Sequence, residues 1–224
     1  LGVTAAAAVF GSTSSVVYAG ALTQAERDAM TPEQVLAQLK AGNQRFLAGQ
    51  AQAHDYLAQK RASADGQYPA AVILSCIDSR APAEILLDTG IGEAFNARIA
   101  GNIANSDLIG SLEFACAAAG AKVVLVMGHT ACGAVRGAID GVKLGSLTGL
   151  LDKIKPAIEA TQYNGDRTGK NDAFVDAVAT SNVLHTISEL RNGSEVLANL
   201  EKSGAIKIVG SMYDMKTGVV SFIN

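Results

Sequence analysis

The chain has 224 residues, of which 49% are hydrophobic and 17% charged, with no Trp and a formal net charge of −3. That length and apolar fraction suit one α/β domain with a sizeable core and exclude a disordered chain. The slightly acidic balance gives no electrostatic case for nucleic acid or an anionic membrane surface, and three widely spaced cysteines argue against a disulfide framework.

In chain order, residues 1–22 come first, an uncharged stretch rich in Ala, Ser, Gly and Val. Its end, Val17-Tyr18-Ala19-Gly20-Ala21, places small residues as a signal-peptidase site wants them. The segment is expected to be the remnant of an export signal, which would make the protein periplasmic or otherwise exported rather than cytoplasmic. The competing reading is an apolar arm that docks on the body or on a neighbouring subunit. Residues 23–224 then form a single domain. Thr23-Gln24-Ala25-Glu26 and Thr31-Pro32-Glu33-Gln34 both fit a helix-start box. The helix that follows sets Val35, Leu36, Leu39, Phe46 and Leu47 on roughly one face, which predicts a packed N-terminal helical arm. Residues 48–66 read as a polar loop or short helix, with His54 exposed.

From Ala70 onward apolar strands alternate with helical segments. A strand over 71–75 is followed by a short helix near 83–87 and a strand at about 94–98. A helix from Ser106 to Ala119, in which Cys116 is expected to be a buried thiol, leads to a strand over 122–127. Residues 143–203 read as mostly helical, broken at Asn164–Gly169, with His185 a packing residue. Two strands, 205–209 and 219–223, close the chain around the turn Asp214–Gly218. The alternation predicts an α/β fold with a mostly parallel central sheet and flanking helices. The tight last connection predicts one antiparallel edge strand. Apart from the marginal N-terminal run, no helix is long and apolar enough to span a membrane.

Two of these strands end in residues that carry chemistry. Cys76-Ile77-Asp78-Ser79-Arg80 follows one, and His129-Thr130-Ala131-Cys132 follows the other. Carboxyl ends of parallel strands are where open α/β sheets build sites. Cys76, His129 and Cys132 make a Cys₂His donor set, which with one open position is a catalytic zinc pattern. Asp78 is near enough to bind the metal itself or to accept a hydrogen bond from bound water, and the planar fork of Arg80 can hold it away. Two thiolates and a neutral imidazole cancel the charge of Zn²⁺, so bound water is a weaker acid than at a His₃ site. Activity is therefore expected in the neutral to alkaline range. The competing reading is a structural zinc knot with Asp78 as fourth ligand.

Together the two motifs resemble the β-class carbonic anhydrases. The likeness extends through Gly92-Glu93-Ala94-Phe95, Arg98-Ile99-Ala100-Gly101-Asn102, Leu112-Glu113-Phe114-Ala115 and Val209–Asp214 with Thr217-Gly218, about residues 24 to 224. The resemblance implies reversible hydration of CO₂ to bicarbonate and a proton by zinc-bound hydroxide, with one Zn²⁺ per chain. It also implies a homodimer or dimer of dimers with sites at the subunit interface. By the same resemblance Cys76, His129 and Cys132 bind zinc, and Asp78 with Arg80 forms a gating dyad. Gln67, Phe95 and Gly133 contact substrate, Gln67 in some members from the neighbouring subunit. Three positions depart from the pattern: Ile99 for a frequent Asn, Phe114 for a frequent Tyr, and Ile73 where some bicarbonate-inhibited members carry Trp. Arg98 and Tyr213 match the other two residues of that inhibitory site. Two rivals share much of the signature, a hydrolase of carbonyl sulfide or carbon disulfide and a non-catalytic zinc-stabilised interaction domain.

Overall fold

The computed structural model describes residues 17–223, so residues 1–16 of the segment read as an export signal lie outside the described residues. The strands are β1 (Val17–Tyr18), β2 (Ala53–His54), β3 (Ala71–Ser75), β4 (Ala94–Arg98), β5 (Val123–His129), β6 (Lys207–Tyr213) and β7 (Val220–Ile223). The last five form one sheet in the order β4-β3-β5-β6-β7, parallel throughout except for the antiparallel β6–β7 edge. This is the architecture the alternation predicts. β1 and β2 form a separate short parallel pair.

The N-terminal arm consists of α1 (Gln24–Ala29) and α2 (Pro32–Leu47), and each helix is opened by the expected capping box at Thr23 and Thr31. Then come α3 (Tyr56–Ala62), α4 (Ala83–Leu86) and α5 (Ser106–Glu113), the last running on as one wide turn over Phe114–Ala118. The second half supplies α6 (Gly133–Ile139), α7 (Gly145–Asp152), α8 (Lys155–Ala160), α9 (Asp172–Gly193) and α10 (Glu195–Lys202).

β3 and β5 are buried along their whole length because helices cover both faces of the sheet. Alternation divides their side chains: Ala71, Ile73, Leu125 and Met127 meet Val35 and Leu39 of the arm. Val72, Leu74, Val124 and Val126 meet Leu112, Val183, Ile187 and Leu197 on the other side. α9 lies close on the sheet because two strand positions lack side chains. A Cβ at Gly128 would stand 2.6 Å from Val183 Cγ2, and one at Gly210 would stand 2.8 Å from Val183 Cγ1. A third apolar cluster, including Ile103, Val135, Ile154, Phe174 and Val178, surrounds Cys76 and Cys132 beyond the strand ends.

The structure corrects the sequence reading in three places. The imidazole of His54 is buried, not exposed: its Nε2 lies 3.3 Å from Asp88 Oδ1 and its Nδ1 3.0 Å from Gln59 Nε2. Asp88 also accepts from Arg45 and from the Gln52 backbone N–H, so a polar network ties the arm to the body. Leu47, at the end of α2, stays exposed while Val35 and Leu39 carry the packing. β6 starts at Lys207 rather than at 205, because the N–H groups of Ala205 and Ile206 turn back to the Leu200 carbonyl after Gly204, whose φ is 77°. It then runs on to Tyr213, which pairs with His129.

Candidate metal centre

The last residue pair between β3 and β5 is Ser75 with Met127, so Cys76 follows directly on the end of β3, near His129, the last residue of β5. Cys132 follows after a turn in which Ala131 adopts a φ of 52°, and it stands just before α6. The two sulfurs and an imidazole nitrogen lie within 4.8 Å of one another, and all three residues are buried. The fold thus converges the three residues that the spacing singled out.

Their hydrogen bonding suits a metal cation. His129 Nδ1 is 2.8 Å from the Thr130 carbonyl oxygen, which can only accept, so the ring proton sits on Nδ1. Nε2 is left with a free lone pair, buried and without a hydrogen-bond partner among the described residues. Buried polar atoms are rarely left unpaired, and a cation would satisfy this one. Cys76 Sγ accepts the Gly101 N–H at 3.3 Å. The hydrogen bond from the Cys132 thiol lowers the Cys76 pKa to about 4 against the opposing effect of burial. Cys132 is pushed upward by that same bond and by burial. Metal binding requires both sulfurs as thiolates, so a divalent cation would displace their protons. Burial disfavours the charged form of His129, but the nearby Cys76 sulfur and the Thr130 carbonyl outweigh it, and the net direction is upward. Thiolate and imidazole donors in this number fit Zn²⁺.

Asp78 and Arg80 form a two-point ion pair beside these donors. Arg80 Nε donates to Asp78 Oδ1 at 2.9 Å, Nη2 donates to Oδ2 at 2.8 Å, and the Arg80 backbone N–H donates to Oδ1 at 2.9 Å. The guanidinium holds the Asp78 carboxyl down to about 2. Asp78 Oδ2 is 3.9 Å from His129 Nε2, so the carboxylate stands at the edge of the donor set. A cleft of about 340 Å³ opens here, lined by Cys76, Asp78, Gly133, Val142, Leu147 and Leu151 among others. Gln67 and Phe95 do not line that cleft within one chain. Gln67 is exposed on a separate depression with Ser63 and Ile91, and Phe95 is half-buried on β4, edge-on to Phe114 at 6.1 Å.

Four further residues support the centre. Arg98 Nε donates to the Cys76 carbonyl at 2.9 Å, and its Nη2 donates to the Asp78 carbonyl at 2.6 Å and the Ala81 carbonyl at 3.5 Å. It clamps the first motif by its backbone. Gly101, with a φ of 67°, offers its N–H to Cys76. Asp176 Oδ1 accepts the Ala131 N–H at 2.8 Å, and Asn182 Nδ2 donates to the Gly101 carbonyl at 2.7 Å. Asn182 did leave a signal, since a polar residue at helical spacing from Val175, Val178 and Ala179 has to find a buried partner. Asp176 left none.

Fold and donors together define an α/β protein with a group of three residues able to hold a metal at the strand ends of a mostly parallel sheet. A family model described as carbonic anhydrase matches residues 71–220. Carbonic anhydrase 2 of Mycobacterium tuberculosis is 34% identical over 186 residues, covering 80% of this chain and 87% of that protein. The carbonic anhydrase of Mycolicibacterium smegmatis is 33% identical over 184 residues, covering 81% and 88%. Among solved structures, a β-carbonic anhydrase of Aspergillus fumigatus superposes with a TM-score of 0.66 at 24% identity, covering 84% of this chain and 90% of that one. One of two tetrameric β-carbonic anhydrases from Sordaria macrospora gives 0.64 at 24% identity, covering 72% and 83%. The chain belongs to the carbonic anhydrases, in their β class, and is an enzyme of carbon dioxide hydration.

Proposed function

We propose that Cys76, His129 and Cys132 hold one zinc ion per chain and that CO₂ is hydrated reversibly to bicarbonate beside it. The observation that carries this reading is the buried Nε2 of His129, without a hydrogen-bond partner among the described residues, on a ring that has a nitrogen within 4.8 Å of both sulfurs. Bound zinc would supply Lewis acidity, turning water into a nucleophile near neutral pH.

The chain's own residues do the rest. Arg80 occupies both carboxylate oxygens of Asp78 and so keeps that side chain from serving as a fourth donor. With its carboxyl held to about 2, Asp78 accepts hydrogen bonds and does not donate them at neutral pH. Gly133 adds no side chain to the cleft, and Val142, Leu147 and Leu151 give it an apolar wall suited to a substrate without a dipole. Phe95 and Gln67 would join this pocket only through a second copy of the chain, in a homodimer or dimer of dimers. Two features support that assembly: β4 is an edge strand of the sheet, and Ile77, Ile85, Ile91 and Phe114 are exposed.

The test combines metal analysis with stopped-flow CO₂ hydration. Purified protein is expected to carry about one zinc per chain, and Cys76→Ser and Cys132→Ser to lose both metal and activity. Full activity in a chelated, zinc-free sample would refute the proposal.

A further inference from the structure

Helix α9 does more than cover the sheet. Its Asp176 reaches the His129–Cys132 turn at one point, the Ala131 N–H, with an Oδ1–N distance of 2.8 Å. Ala131 is a poor residue for that turn. Its φ of 52° lies in the left-handed region, where a Cβ crowds the backbone. The peptide is held from two sides, because the Ala131 carbonyl also accepts from Arg80 Nη2 at 3.4 Å. One residue thus links α9, the turn that delivers Cys132, and the guanidinium that holds Asp78. The rest of the turn is anchored elsewhere: the Thr130 N–H donates to the Tyr213 carbonyl, and Thr130 Oγ1 accepts the Met215 N–H. Among the described residues, the Ala131 N–H has only Asp176 as an acceptor.

We infer that Asp176 is a positioning residue for the metal centre: it stabilises the left-handed conformation of Ala131 and so sets where Cys132 Sγ stands relative to Cys76 and His129. The inference rests on the reading of these three residues as zinc ligands. Asp176 touches neither donors nor substrate. Its effect passes through one backbone hydrogen bond, so the requirement is for an acceptor atom and not for a charge. It passes also through the φ of Ala131, so relieving that φ should make Asp176 less necessary. A residue that merely stabilised the fold would show neither property.

The experiment uses the zinc-loaded full chain and measures zinc release to a chromophoric chelator. Cobalt-substituted protein gives a second readout, the thiolate-to-cobalt absorption. Asp176→Leu removes the acceptor and is expected to speed zinc release about 10- to 100-fold and to weaken the thiolate band, the usual range for loss of an outer-shell partner. Asp176→Asn keeps Oδ1 and is expected to stay within about threefold of the parent. Ala131→Gly takes up positive φ freely, so in the double variant Asp176→Leu should cost much less than it does alone. If Asp176→Leu does not fold, Asp176→Ala and the double variant carry the same comparison. Parent-like zinc release in Asp176→Leu, or equal acceleration in the Asn and Leu variants, would overturn the inference. A parent protein that binds no zinc would instead overturn the reading beneath it.

Discussion

Arg98 offers the sharpest energetic test, because its donors are committed to three carbonyls of a single loop. Replacing it with Ala leaves the carbonyls of Cys76, Asp78 and Ala81 without their common partner. A hydrogen bond from a charged donor contributes about 1.5–3 kcal/mol. Two of the three are short, at 2.9 and 2.6 Å, and the third, at 3.5 Å, is too long to count for much. The loop is half exposed, so water would recover part of the loss, and about 3 kcal/mol is the expected net destabilisation. A chain of this size loses about 2–4 °C of melting temperature per kcal/mol, which predicts a fall of roughly 6–12 °C. Arg98→Lys retains the charge but not the fork, can satisfy one carbonyl at a time, and should fall about half as far. Differential scanning calorimetry of metal-loaded protein reads this directly. Activity measured in parallel should drop more than tenfold, since the clamped loop carries both a donor and Asp78. A melting temperature and CO₂ hydration rate indistinguishable from the parent in Arg98→Ala would refute the clamp. The same committed donors predict that bicarbonate does not inhibit through Arg98, which dose–response measurement at fixed ionic strength would check.

Three other outcomes follow from the geometry. Arg80→Ala should retain zinc yet lose about 10- to 100-fold in hydration rate, because Asp78 is then free beside the donors; unchanged turnover would remove the gating role. Asp78 is a group whose folded pKa is depressed, to about 2 from 3.8, so its ion pair stabilises the fold above pH 3.8 and that contribution is lost as pH falls toward 2. Urea midpoints of Asp78→Asn should accordingly vary less than the parent's across that acid interval. Gly128→Ala would place a Cβ 2.6 Å from Val183 Cγ2 and 2.8 Å from Met212 Sδ. Overpacking of that kind costs about 1–3 kcal/mol, and equilibrium unfolding that matched the parent would show that α9 can yield.

The central strands were legible because burial on both faces leaves an almost uninterrupted apolar run, and Ala71–Ser75 and Val123–Met127 are such runs. The three donors were legible because each stands at or just past a strand end with a distinctive side chain. What stayed hidden depends on partners that the local side-chain pattern does not report. His54 reads as an exposed loop residue until Asp88 and Gln59 are brought against it. The contact between Asp176 and Ala131 uses a backbone N–H, which no side-chain pattern reports. The start of β6 was misplaced because Ala205 and Ile206 are apolar enough for a strand but their N–H groups are already taken. Gln67 and Phe95 differ again, since one chain alone gives them no common pocket with Cys76.

The pairing of β3 with β5 has a consequence for how the protein comes together. Cys76 belongs to one strand end and His129 to the other, and the crossover between them contains β4 and α5. Loop-closure entropy must be overcome before these distant strands reward it, so their pairing is a late and slow event compared with helix formation. Until then the chain presents Cys76 apart from the neighbouring pair His129 and Cys132, with a weaker hold on a cation. Binding competence therefore arrives with the native sheet, and a cation that binds only the finished sheet pulls the folding equilibrium toward it by mass action. Metal release and loss of the β3–β5 pairing should be one cooperative transition observed by two probes.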